Sequence, residues 1–400
     1  MIAFRLGRRG IDLFNPRGIL LILWLFLLVF PKGGFKIGAL PLTWGYFFLT
    51  LFSIFSIFRS RFVCHRPRIE AFLLTIPFQA ICMFSFLVYG TAYFDFTVSL
   101  ILNFFFFPWV FFILLSEQIE SINLEFLYNL LRKGIFFVAT YGIFLFCFKL
   151  VTGKFIEIPF LTVNFHDLGA IHLKHIHRGT VFKLVSTYNN GNIYGICILM
   201  LLPLYLLLEQ NFWKKAIVAF SLILSLSRTV WIGFLFSQCI TALFGNKKPE
   251  YAKLIFSFSL ALISIIIITY SCGFNIHFLF DRNLGGRTEQ LQALSSISIF
   301  PDKPFYGFGE IVYLSVLSNF GIIGLFAYLI CLSGPIFLTF VRHPISVPHK
   351  RILCGLLNFL LISMSDGALL YIPVLVFYWF LSALALRHSL EPISLNSSFQ

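Results

Sequence analysis

The chain has 400 residues, of which 59% are hydrophobic and 12% charged, with a formal net charge of +14. A water-soluble domain carries about 25% charged residues, so a chain this apolar cannot cover its own surface in water, and a soluble fold is excluded. The positive charge is scattered through short connections rather than gathered in one patch with a readable motif, which argues for membrane topology and anionic lipid headgroups and against nucleic acid as a partner.

Residues 1–17 are basic and 18–30 apolar, the first two parts of a secretory signal. Pro31-Lys32-Gly33 is a poor cleavage site, so the stretch reads as an uncleaved first helix. Apolar segments follow at 37–58, 69–88, 98–116, 134–152, 189–208, 214–226, 229–244, 254–270, 311–341, 350–365 and 367–386. Roughly 20 apolar residues cross the hydrocarbon layer, and backbone polar groups must be satisfied internally there, so each segment reads as a transmembrane helix. The eight Cys lie mostly inside these segments and form no Cys-x-x-Cys, giving neither a zinc pattern nor a disulfide framework. The 54 Phe read as packing and lipid contact.

The stretch 214–244 is either one long helix with a buried arginine or two helices with Ser227 and Arg228 at the turn. Charge decides between them. With two helices and the N-terminus inside, the inner connections hold 19 of the 30 Lys and Arg. One helix would put the basic clusters at 247–253 and 342–351 outside. The expectation is therefore an all-α polytopic membrane protein, one transmembrane domain over 1–400 with about twelve crossings and both termini cytoplasmic. Two long segments, 153–188 and 271–310, then fall outside, and long connections are uncommon unless functional or disordered.

The first outer segment carries His166-Asp167 and then His172, His175, His177 and Arg178. Imidazoles suit zinc, but no cysteine or firmly placed carboxylate completes a ligand set, and no metal or cofactor is expected. A basic, titratable surface toward phosphate or sugar hydroxyls and a plain solvated loop both remain open. Arg228 lies between two apolar runs. An arginine at that depth normally faces a cavity, a partner or an anion, and the alternative is snorkelling to the headgroups. In the second outer segment, Gly285-Gly286 permits a tight turn with exposed N–H groups, while Arg282 and Arg287 supply forks that match phosphate oxygens. Surface pairing with Asp281 or Glu289 is the alternative. Glu310, at the start of an apolar segment, is either a general base or a helix-start carboxylate. Tyr188, the run Asn189-Asn190-Gly191-Asn192 and Ser365-Asp366-Gly367 read first as helix-end chemistry, with Asn192 and Asp366 as further ligand contacts from the outer face.

Three of these motifs, in order, resemble the bacterial O-antigen polymerase and O-antigen ligase superfamily. They are Asn189-Asn190-Gly191-Asn192 opening a helix, Ser227-Arg228 followed by Trp231, and Gly286-Arg287 followed by Pro304, Gly307-Phe308-Gly309 and Asn319-Phe320-Gly321-Ile322-Ile323-Gly324. The resemblance spans roughly 189–325. It implies a polytopic glycosyltransferase of the GT-C-like type in the bacterial inner membrane. Such an enzyme works by inversion and without metal on undecaprenyl-diphosphate-linked oligosaccharides at the periplasmic face, and a chain-length regulator is a further implied partner. By motif, the diphosphate-holding arginines are Arg228 and Arg287. Arg178 and Arg282 are added by charge and location, and Glu310, His175 and His177 are the candidates for the base. The ligases' histidine pair would fall on Glu310-Ile311, where no histidine stands, which favours polymerase over ligase. Aromatic residues near the outer segments, Tyr188, Trp231 and Tyr306, are candidates for stacking on sugar rings. A transporter of lipid-linked glycans is the competing class, although the halves show no paired repeat and the polar residues cluster toward one face rather than the midplane.

Overall fold

The structure is a computed structural model that describes residues 16–37, 40–59, 65–169, 177–178, 181–244, 290–291, 297–342, 346–366 and 373–387, with scattered positions between 252 and 270. It is mostly helical. The helices are α1 (Pro16–Leu23), α2 (Trp44–Arg59), α3 (Arg66–Leu73), α4 (Ile76–Tyr89), α5 (Phe94–Ile101), α6 (Phe107–Trp109), α7 (Ser116–Glu120), α8 (Leu124–Thr152), α9 (Gly191–Leu208), α10 (Phe212–Leu224), α11 (Arg228–Leu243), α12 (Val312–Arg342), α13 (Val347–Ile362) and α14 (Val374–Ala385). Among the described residues, two small antiparallel hairpins join them, β1 (Gly34–Ile37) with β2 (Leu40–Thr43) and β3 (His177–Arg178) with β4 (Val181–Phe182).

Among the described residues, five continuous helical stretches are long and apolar enough to cross a membrane: Arg66–Tyr89, Phe94–Leu114, Leu124–Thr152, Gly191–Leu208 and Val312–Arg342. Shorter apolar helices accompany them, including Arg228–Leu243 and Val374–Ala385. Large apolar side chains also face outward, such as Leu87, Val151, Phe326 and Phe337. A soluble monomer does not carry such a coat. The molecule is a helical membrane protein.

The core is built around α9. It is apolar on every side, as a helix surrounded by other helices must be, and almost all of it is buried. α13 and α11 pack along it, with α8 and α14 completing its surround. Glycines let these backbones approach, the small-residue device of membrane helices. Gly195 of α9 faces Val230 of α11, and a Cβ on Gly233 of α11 would sit 2.7 Å from Ile362 Cδ1 and 2.8 Å from Leu199 Cδ1. A Cβ on Gly355 of α13 would collide with the backbone carbonyl of Met200. A carbonyl in a helix cannot step aside, whereas the Val230 side chain can turn. Gly355→Ala is therefore expected to destabilise by about 1–3 kcal/mol and Gly195→Ala by less, read as thermal unfolding midpoints in detergent.

The stretch 214–244 is two helices, α10 and α11, separated by residues 225–227. Arg228 does not sit in the turn but is the first residue of α11. Other segments also differ from the sequence reading. Residues 40–43 of the expected 37–58 helix form β2, because Pro41 biases its neighbour toward extended backbone. The expected 134–152 helix starts ten residues earlier, at Leu124, where Asn123 caps it by accepting from Phe126 N at 3.0 Å. Phe94–Leu114 runs through two π-turns (Leu102–Phe106 and Val110–Leu114) on either side of Pro108. Trp379 Nε1 donates to the carbonyl of Asn103, and Gln79 Nε2 to that of Phe104.

Basic residues gather at one end of the bundle. The fully buried Arg68 donates from Nη2 to Glu120 Oε2 at 2.7 Å, from Nη1 to Ser116 Oγ at 3.1 Å and to the Ser116 carbonyl. Arg342 pairs with Glu70 at 2.6 Å, and Arg387 Nη1 donates to the Ile122 carbonyl at 2.8 Å. Arg228, Asn192 and Asp366 lie toward the opposite end.

Candidate functional site

The site forms where α9 and α11 begin and α13 stops. Asn190 caps α9, its Oδ1 accepting from Asn192 N at 2.8 Å and Ile193 N at 3.2 Å. Asn189, at φ 54°, turns the chain into that cap. Gly191 is required beside it, because a Cβ there would lie 2.7 Å from the Leu184 carbonyl oxygen. The segment leading in, residues 182–189, is buried throughout. Leu184 N donates to the Leu224 carbonyl at 2.9 Å, which holds the segment against the end of α10.

The cap leaves Asn192 half-buried on the first turn of α9, between two charged side chains. Its Oδ1 accepts from Lys183 Nζ at 3.0 Å, and its Nδ2 donates to Asp366 Oδ2 at 2.5 Å. Lys183 and Asp366 are 6% and 4% exposed, which few charged groups tolerate without such partners. Next to Asp366, the Ser365 hydroxyl lies 3.1 Å from that of Thr229. Thr229 follows Arg228, which is half-buried at the first position of α11. One end of the bundle thus gathers a lysine, an arginine, a carboxylate and the positive ends of two helix dipoles.

Backbone strain marks the same place. Four non-glycine residues among those described have positive φ, and three of them, Ser186 (49°), Asn189 (54°) and Leu226 (47°), surround this network. Such conformations persist only where the surroundings impose them, and they concentrate at functional sites.

The structure brings together Arg228, Asn192 and Asp366, all selected from sequence, and adds Lys183, which was not. The available signal was a lone lysine in the apolar run Val181-Phe182-Lys183-Leu184-Val185. Tyr188 is next to the site but fully buried, its hydroxyl donating to the Leu28 carbonyl at 2.9 Å and its ring set edge-on to Tyr194. It supports the loop and presents no open ring face. Trp231 is also buried, donating from Nε1 to the Ile223 carbonyl at 3.1 Å. Tyr306 is exposed beside Tyr93.

Glu310 is exposed just before α12. That stretch is tied to the same end of the bundle, since Tyr313 donates its hydroxyl to the Leu360 carbonyl in the last turn of α13 at 2.5 Å. The preceding turn is fixed by Asn319, which accepts from Tyr306 N at 3.1 Å and donates to the carbonyls of Gly307 and Ser315 at 2.9 and 2.8 Å. Gly321, at φ 70° and ψ −175°, breaks α12. The N–H groups freed just after it, of Ile322 and Ile323, bond to the carbonyls of Ser298 and Ile299. A Cβ on Gly321 would strike that same strip of backbone. His177 and Arg178 form β3, paired with Phe182 and Val181. His172, His175, Arg282 and Arg287 lie outside the described residues. The segment 153–188 is also not wholly a surface loop. Asn189 Nδ2 donates to the Thr162 carbonyl, Trp44 Nε1 to that of Phe160 and Asn164 Nδ2 to that of Phe35, so residues 158–164 tie the β1–β2 hairpin and the start of α2 to the loop that opens α9.

No family model, no curated protein and no solved structure matches the chain.

Proposed function

We propose that the protein is a glycosyltransferase of the polytopic GT-C-like type that polymerises undecaprenyl-diphosphate-linked repeat units at the periplasmic face of a bacterial inner membrane. It would cross that membrane about twelve times, with both termini cytoplasmic. One observation carries the reading. A half-buried arginine opens a helix beside a Lys183–Asn192–Asp366 relay whose two charged ends are buried, all at the end of the bundle away from the basic cluster. That cluster contains Arg68, Arg342 and Arg387, and the positive-inside tendency assigns its end to the cytoplasm.

In this reading the donor diphosphate lies against Arg228 and the N-termini of α9 and α11. The bond from the anomeric carbon to the diphosphate oxygen breaks, a bond to an acceptor hydroxyl oxygen forms on the opposite face, and negative charge collects on the leaving oxygen. Fixed donors in a partly dry site stabilise that charge without a metal. The acceptor proton needs a carboxylate. Asp366 is buried and bound to Asn192, which makes it a positioning group, whereas Glu310 is exposed at the same end and is assigned as the base. Tyr306 and Tyr93 offer exposed rings for the sugars. Arg287, Arg282, Arg178, His175 and His177 remain assigned by sequence alone.

Reconstitution of the purified protein in liposomes with the lipid-linked repeat unit as sole substrate tests this directly. Polymerisation predicts a ladder of lipid-linked products. A transporter returns the unit unchanged in length, and a ligase stays inactive until lipid A core is supplied. Either outcome rejects the polymerase.

A further inference from the structure

The middle of the bundle holds a polar cluster unrelated to the network at the Arg228 end. Asn358 of α13 and Gln238 of α11 are both fully buried, and all four of their side-chain polar atoms lack a hydrogen-bond partner in the protein. The hydroxyl of Ser237 on α11 is fully buried and equally without one, and the buried Thr241 hydroxyl has the Cys354 thiol beside it. Within a bilayer no bulk water relieves such groups, and buried polar groups in native proteins are as a rule paired.

The helix register brings these residues to one level. Arg351 Nη1 donates to the Thr241 carbonyl at 3.2 Å, and Gly233 abuts Ile362, so α11 and α13 run antiparallel in contact. Between those two points lie Ser237 and Gln238 on one helix and Cys354 and Asn358 on the other. On α13, Arg351, Cys354 and Asn358 follow at i, i+3 and i+7 and share a face. On α11, Ser237 and Thr241 share a face, with Gln238 on its flank. The Gly233–Ile362–Leu199 contact forms an apolar layer between this cluster and Ser365–Thr229.

The chemistry of the groups selects their ligand. Each amide leaves both a donor and an acceptor unsatisfied. An anion would serve Nδ2, Nε2 and the Ser237 hydroxyl but oppose Oδ1 and Oε1. A cation would do the reverse and would also meet the Arg351 guanidinium. A small neutral molecule that both donates and accepts serves all of them. We propose that the α11–α13 seam is an internal water site, in which ordered water is bound by Asn358, Gln238 and Ser237. Internal waters of this kind make about three hydrogen bonds each to otherwise unpaired groups.

Cys354 is a native probe, because it is fully buried and lies beside Thr241. Cys82 and Cys331 are equally buried, on α4 and α12, and serve as references away from the seam. Brief X-ray radiolysis of the intact protein in nanodiscs makes hydroxyl radicals from bound as well as bulk water, and mass spectrometry reads oxidation at each cysteine. The expected result is oxidation of Cys354 with Cys82 and Cys331 spared, and loss of that label in the variant Asn358→Leu/Ser237→Ala. Wild-type Cys354 spared like the two references, or labelling unchanged in the variant, overturns the proposal. The wild-type comparison alone decides the matter if the variant does not fold.

Discussion

Arg228→Ala is expected to abolish chain extension while the protein stays in the membrane at its normal level. The two halves of that expectation have separate causes. Removing one fixed donor from a site that stabilises a developing oxyanion typically costs roughly 10²–10³ in turnover, and in a polymerisation the loss compounds with each added unit. The fold is held mainly by other contacts. A positive side chain in the first turn of a helix opposes the dipole by about 0.3–1 kcal/mol, and removing it relieves that opposition. α11 is meanwhile held by Val230 against Gly195 and by the Trp231 bond to Ile223. Arg228→Lys is expected to retain partial activity, since it keeps the charge and loses the planar fork. Product ladders from reconstituted protein at matched amounts check all of this, and wild-type ladders from Arg228→Ala would remove Arg228 from the site.

That an arginine stands where a helix disfavours it could be read from sequence, as an isolated charge between apolar runs. Much else at this level was equally legible. The membrane class followed from composition, the break near Arg228 from charge counting, and the start of α9 from its Asn and Gly run. These are local or additive signals. The features that escaped depend on distant partners or on periods that an apolar-run reading ignores. The β1–β2 hairpin is held to residues over a hundred positions away, through Trp44 to Phe160 and Asn164 to Phe35. The first turns of α8 contain Arg132 and Lys133, which end an apolar run but sit well on an amphipathic helix whose buried face is Leu127, Tyr128 and Leu131. In the π-turn before Pro108, the carbonyls of Asn103 and Phe104 are taken by Trp379 and Gln79.

The site shows the same division. Arg228, Asn192 and Asp366 were each visible as polar residues at helix ends, but nothing in the sequence says that Asn192 reaches Asp366 across 174 residues. Lys183 carries no distinct signal, because one lysine in a short apolar stretch resembles a snorkelling surface residue. Tyr188 misled in the opposite direction. A tyrosine at a membrane entry suggests sugar stacking, yet here its ring fills the space between Leu28 and Tyr194.

The relay itself yields the second large effect. Asp366→Ala removes a charged acceptor from Asn192 and the negative end of a buried chain that begins at Lys183. Hydrogen bonds to charged groups contribute about 1.5–3 kcal/mol, so the thermal midpoint in detergent is expected to fall and extension to be lost. Activity alone would not separate a positioning role from a folding role, because a destabilised protein also fails to extend chains. The double variant Lys183→Met/Asp366→Ala separates them. Removing both charges takes away the desolvation cost along with the attraction, and apolar replacement of a buried pair is often neutral or stabilising. The double variant should therefore recover most of the lost midpoint, a non-additivity expected of side chains in one network. Asn192 would then be present but unheld, and extension should remain absent despite the restored fold. Recovery of both midpoint and ladder would mean that the relay serves only to hold α9 to α13, and would leave Arg228 and Glu310 as the proposed functional groups at this end.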